Sequence, residues 1–150
     1  MEKDKLNEFI NIWSSAPDLG IPSQDYQHHY FFILVRRIVE TLKDGHESDY
    51  LHNLFSELNQ YARFHFRSEE LMMKSLEFPG FDAHRIKHTD LLEELSIREG
   101  ELAMDFSNEK IFELLGFLSH WFSEHTETVD KEFADYVLGH PLYKSKPNLF

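Results

Sequence analysis

The chain has 150 residues, enough for one domain with a sizeable core. Its 27 acidic against 15 basic residues give a net charge of −12, which argues against nucleic acid or an anionic membrane as partner, since both repel an acidic surface. With no cysteine, disulfides, thiolate zinc sites, iron–sulfur clusters and thiol catalysis are excluded, and ten histidines direct attention to imidazole and carboxylate metal ligands. The N-terminal MEKDKLNEFI has neither a basic n-region nor an apolar h-region. No run approaches the roughly 18 apolar residues of a transmembrane helix, so a cytoplasmic protein is expected.

Residues 1–22 read as an N-terminal arm with Trp13 as its anchor. Ser23, after Pro22, is the expected N-cap of a first helix running to about Lys43, ahead of Asp44-Gly45. Its stripe of His28, Phe31, Val35, Ile38 and Leu42 has helical spacing. A second helix is expected from about Ser48 to Leu76, ending at Phe78-Pro79-Gly80, with the stripe Leu51, Leu54, Leu58, Tyr61, His65, Glu69, Met72 and Leu76. A third starts near Asp82 and carries His84, His88, Leu91, Leu95 and Leu102 toward Met104. The fourth follows Ser107-Asn108, carries Ile111, Leu114, Leu118, Trp121, His125 and Val129, and ends near Leu138-Gly139. Four amphipathic helices with short connections predict an all-α fold, an antiparallel up-down-up-down four-helix bundle over 23–139, with 140–150 as a tail or linker.

What breaks the apolar stripes is more informative than the stripes. His65 and Glu69, four residues apart and so only about 40° apart around the axis, sit where burial is required. His84 and His88 do the same in the third helix, His28 leads the first stripe, and His125 lies within the fourth. Burying a carboxylate and several imidazoles costs several kcal/mol each unless hydrogen bonds or a metal compensate. One cation site drawing on all four helices satisfies them together. The remaining candidates have plainer readings. His29 and Glu70 are expected to face solvent, His120 and Glu124 to form a solvated pair, and His46, His52 and His140 to lie at the surface. Met72 and Met73 read as core fillers, and Arg98-Glu99-Gly100-Glu101 as an exposed face.

The order of these residues resembles the hemerythrins, bacterial hemerythrin domains in particular, from about Trp13 to Leu138. The matching stretches are Gln24-Asp25-Tyr26-Gln27-His28, His65-Phe66-Arg67-Ser68-Glu69-Glu70-Leu71-Met72, the pair His84 and His88, and Trp121, His125 and Asp130. The resemblance implies a non-haem diiron centre with an oxo or hydroxo bridge. His84, His88 and His125 would hold one iron, His28 and His65 the other, and Glu69 and Asp130 would bridge them. It implies O2 as the small-molecule ligand at the open position of the second iron, and Phe31, Phe66, Trp121, Phe122 and Thr126 as residues near the O2 pocket. Spacing alone does not select Asp130, which lies about 140° from His125 on an ideal helix. Two departures stand out: Thr126 replaces the usual Ile after the fourth-helix histidine, and Gln24 replaces an apolar residue, a change expected to matter little.

A ferritin-like oxidase needs Glu-x-x-His on two helices, and no Glu here has His three residues later. The function the resemblance implies is reversible O2 binding by a carrier, store or sensor module rather than an enzyme. A second reading makes the chain the oxygen- or redox-sensing input of a larger signalling protein, such as a diguanylate cyclase or chemoreceptor, with a C-terminal effector domain. A third, ranked lowest, is a diiron peroxidase or nitric oxide reductase, favoured if Thr126 makes the pocket wet.

Overall fold

The structure is a computed structural model and describes residues 2–45 and 48–150; His46 lies outside the described residues. Each of the four expected helices forms. Helix α2 (Pro22–Asp44) begins one residue before Ser23: Ile21 is extended, Pro22 takes the first helical position, and no side chain caps the end. Proline suits that position because its missing N–H would have had no helical partner. Asp25 does the local work instead, its carboxylate accepting the N–H groups of Leu19 and Gly20 at 2.8 and 3.1 Å. The helix stops at Gly45, whose left-handed conformation (φ 70°) turns its N–H back onto the carbonyls of Leu42 and Thr41.

Helix α3 (Ser48–Ser75) ends at a turn through Glu77 (φ 54°), where the Phe78 N–H reaches the Met73 carbonyl at 2.9 Å, and α4 (Phe81–Met104) follows. Ser107 caps α5 (Asn108–His125) by accepting the Lys110 N–H, as its sequence position predicts. The rod then continues through a π-helical turn, Thr126–Asp130, into α6 (Lys131–Gly139). The predicted fourth helix is thus one rod with a single widened turn. α2 packs on α3, α3 on α4 and α4 on α5, completing the all-α bundle.

The segment read as an arm contains a helix, α1 (Glu2–Ser14), which buries Leu6, Phe9 and Trp13 against α2 and α5. The Trp13 indole stacks on Phe122 with centroids 4.0 Å apart and donates to Ser119 Oγ at 2.8 Å. The C-terminal residues also fold back. His140 Nδ1 accepts the Leu142 N–H at the start of α7 (Pro141–Ser145), and Tyr143 is buried. Among the described residues, no helix is long and apolar enough to cross a membrane.

Two apolar clusters divide the interior. The larger gathers Phe31, Leu34 and Ile38 of α2, Leu58 and Phe66 of α3, Leu91 and Leu95 of α4, and Leu118 and Phe122 of α5. The smaller joins Ile21, Met72, Met73, Leu76, Phe133, Val137 and Tyr143. Apart from His65, which sits between Ala62 and Phe66 of the larger cluster, the stripe-breaking residues fall between the stretches that build the two clusters. His28 lies between Ile21 and Phe31, Glu69 between Phe66 and Met72, and His125 and Asp130 between Phe122 and Phe133. The bundle therefore encloses a polar layer between two apolar ones.

Candidate metal centre

All seven candidate ligands of the sequence meet in that layer. Glu69, His84, His88, His125 and Asp130 place one donor atom each within 4.8 Å of one another, and His28, His65, Glu69 and Asp130 form a second such group. Glu69 and Asp130 belong to both. Glu69 Oε1 lies 2.7 Å from His84 Nε2 and 3.3 Å from His88 Nε2, while its Oε2 lies 3.5 Å from His65 Nε2. Asp130 repeats the division, with Oδ1 at 3.2 and 3.0 Å from the Nε2 atoms of His84 and His125 and Oδ2 at 3.4 Å from that of His28. Each carboxylate thus turns one oxygen to each group.

The π turn explains how Asp130 takes part. On an ideal helix it would stand about 140° from His125. Widening the turn to i→i+5 bonding brings the fifth residue round toward the face of the first, so both reach the same cluster.

The packing is nearly dry: six of the seven residues are buried, and the His28 side chain is 10% exposed. Burial pushes His65 down to about 3. It acts the same way on His84 and His28, but there nearby carboxylates win. Asp130 and Glu69 raise His84 to about 9, and Asp130 raises His28. Burial and mutual repulsion push Glu69 upward, yet His84 and His88 hold it below the usual carboxylate range; Asp130 is held down, against burial, by His125, His28 and His84. Several of the short contacts are not hydrogen bonds. Glu69 Oε1, Asp130 Oδ1 and the Nε2 atoms of His84, His88 and His125 are buried with no hydrogen-bond partner. Convergent imidazole nitrogens and carboxylate oxygens without well-formed hydrogen bonds are what a pair of first-row metal ions would satisfy, so the residues fit such a group.

Beside the cluster lies a cavity of about 30 Å³. One water needs roughly 10–15 Å³ on this measure, so there is room for a diatomic molecule. Phe31, Phe66, Trp121 and Phe122 line it, together with Trp13, His28 and His65. Thr126 is buried with its hydroxyl unpartnered, but it is not among the lining residues. The cavity takes the rod face of Leu118, Trp121, Phe122 and His125, and the widened turn continues that face with Asp130.

Several residues differ from their expected surroundings. Glu70 does not simply face solvent: its Oε1 lies 3.0 Å from His88 Nδ1. Gln27 Oε1 lies 2.7 Å from His65 Nδ1, and the amide end of Gln27 donates to Ser68 Oγ at 3.1 Å. Gln24, expected to matter little, is buried with both amide atoms unpartnered. Arg98 lies over the Phe117 ring, Glu99 is partly buried, and His52 packs at a tilt against Phe106, none being a simple exposed side chain. No helical periodicity signals these contacts, because each depends on a partner outside the residue's own helix. His29 is exposed and His120 forms an exposed pair with Glu124, as expected.

An all-helical bundle built round five imidazoles and two shared carboxylates defines a candidate dinuclear metal protein. Residues 19–137 match the family model of the hemerythrin HHE cation binding domain, and the chain belongs to the hemerythrin family. A bacteriohemerythrin of Clostridium acetobutylicum is 29% identical over 131 residues, covering 83% of this chain and 98% of its own. Bacteriohemerythrins of Stenotrophomonas maltophilia (27% over 135 residues; 86% of this chain, 82% of its own) and Methylococcus capsulatus (28% over 133; 83% and 95%) are similar at comparable levels. No solved structure matches significantly.

Proposed function

We propose that this chain holds two iron ions and binds O2 reversibly, as a carrier, store or sensor rather than a catalyst. His84, His88 and His125 serve one iron, His28 and His65 the other, and Glu69 and Asp130 join them. The observation that carries this reading is the division of each carboxylate between the two donor groups. It leaves five donor residues on one side and four on the other, so the two-histidine side is short of a ligand. Bound there, ferrous ions would supply the electrons that O2 takes up.

The chain's own residues set the conditions. The cavity reaches His28 and His65 of the two-histidine side as well as His125 and Asp130, and the rest of its wall is aromatic and aliphatic. The Phe31, Phe66, Phe122, Leu58, Leu91, Leu95 and Leu118 side chains of its wall admit a neutral diatomic and carry no acidic proton, which favours release of O2 over its reduction. The Thr126 hydroxyl, the feature that favours a peroxidase or nitric oxide reductase, lies outside that wall. Metal analysis after anaerobic loading tests the reading: two irons per chain are expected. One iron or none after full loading would refute it.

A further inference from the structure

We propose that Glu70 is a positioning residue for the three-histidine side, fixing the His88 ring and placing a negative charge against its outer nitrogen. The inference rests on the reading of His88 as an iron ligand. A carboxylate only accepts, so the 3.0 Å contact requires the proton on His88 Nδ1 and leaves the Nε2 lone pair for the centre. Nε2 indeed points inward, 3.3 Å from Glu69 Oε1, and the Phe66 ring stacks on the imidazole at 4.0 Å with 11° between planes. His88 is thereby held at its outer nitrogen and along one face.

The other side uses a different device. The His65 Nδ1 hydrogen meets the Gln27 carbonyl oxygen, whose orientation is set by donation from the same amide to Ser68 Oγ. Tyr61 O–H further ties down the Gln27 backbone carbonyl at 3.0 Å. Both histidines therefore present the same tautomer, but one outer partner is anionic and the other neutral. An anionic acceptor makes an imidazole a stronger electron donor to its metal. It favours the ferric state on the side that already has three histidines, and Gln27 adds no such bias.

Glu70→Gln keeps an acceptor at nearly the same place and removes the charge, whereas Glu70→Ala removes both. Iron affinity by chelator competition and reduction potential by spectroelectrochemistry are measured on the iron-loaded full chain. E70A is expected to lose ten- to a hundredfold in iron affinity. E70Q is expected to favour ferric iron about tenfold less, a rise of about 59 mV for one electron. An unchanged potential in E70Q, or wild-type iron affinity in E70A, overturns the proposal. Should E70A fail to fold, the potential of E70Q decides alone. A wild-type chain that takes up no iron would instead refute the diiron reading beneath it.

Discussion

His84 shows how a buried residue here is governed by its neighbours. Burial favours the neutral ring, yet two carboxylates within 3.2 Å keep it protonated up to about pH 9 when no metal is bound. A metal ion needs the same Nε2 lone pair and must displace that proton. Metal uptake should therefore release protons at neutral pH, and apparent affinity should weaken by up to about tenfold per pH unit as pH falls below 9. Anaerobic ferrous titrations at several pH values, in buffers of different ionisation enthalpy, measure both effects; an affinity flat from pH 6.5 to 8.5 would contradict them. At this scale the sequence was largely readable. His28, His65, Glu69, His84, His88 and His125 all occupy positions where an apolar stripe demands burial, and a buried imidazole or acid announces itself by breaking the stripe. Glu70 and Gln27 break nothing, because they touch the cluster from helix flanks whose outlook only packing decides.

Among the elements, the π turn at Thr126–Asp130 has the sharpest consequence. It can be regarded as one extra residue within a His-x-x-x-Asp pair. Deleting the exposed Glu127 should leave His125 and the following Asp four apart, about 40° from each other on an ordinary α-helix, and the protein should still load two irons. Inserting an alanine at the same point should rotate Asp130 off the face and lower the iron content while far-UV circular dichroism stays nearly unchanged. Equal metal loss in both variants would contradict this account of the turn. Asp130 was invisible to spacing for the same reason: a constant 100° step per residue cannot anticipate one widened turn, and only the family resemblance pointed to it.

Helix α1 was half-visible. Leu6, Phe9 and Trp13 have helical spacing, but over a segment too short to stand as a helix without the surface of α2 and α5 beneath it. Trp13 carries its attachment through the Phe122 stack and the Ser119 hydrogen bond. Trp13→Ala should cost about 3–5 kcal/mol, read as a lower urea midpoint with an unchanged slope; a loss under 1 kcal/mol would show that α1 is not anchored there.

Across the molecule, the polar layer separates two apolar clusters that would otherwise form one continuous core. Without metal the fold must bury two acids and several imidazoles against one another, an arrangement that stabilises little for its desolvation cost. Metal binding should repay that in stability. At a thousandfold excess over Kd the gain is about 4 kcal/mol, on the order of 10 °C in Tm for a chain of this length. Calorimetry before and after chelation checks it, and an unchanged Tm would mean that the layer is satisfied without metal.

The central claim is that the dinuclear centre takes up O2 and gives it back. The most direct measurement is the visible absorption spectrum of the anaerobically iron-loaded chain through a cycle of O2 admission and evacuation. A charge-transfer band should appear on admission, disappear on evacuation and return at nearly full height on a second admission. No band, or one that persists or fails to return, would contradict the account.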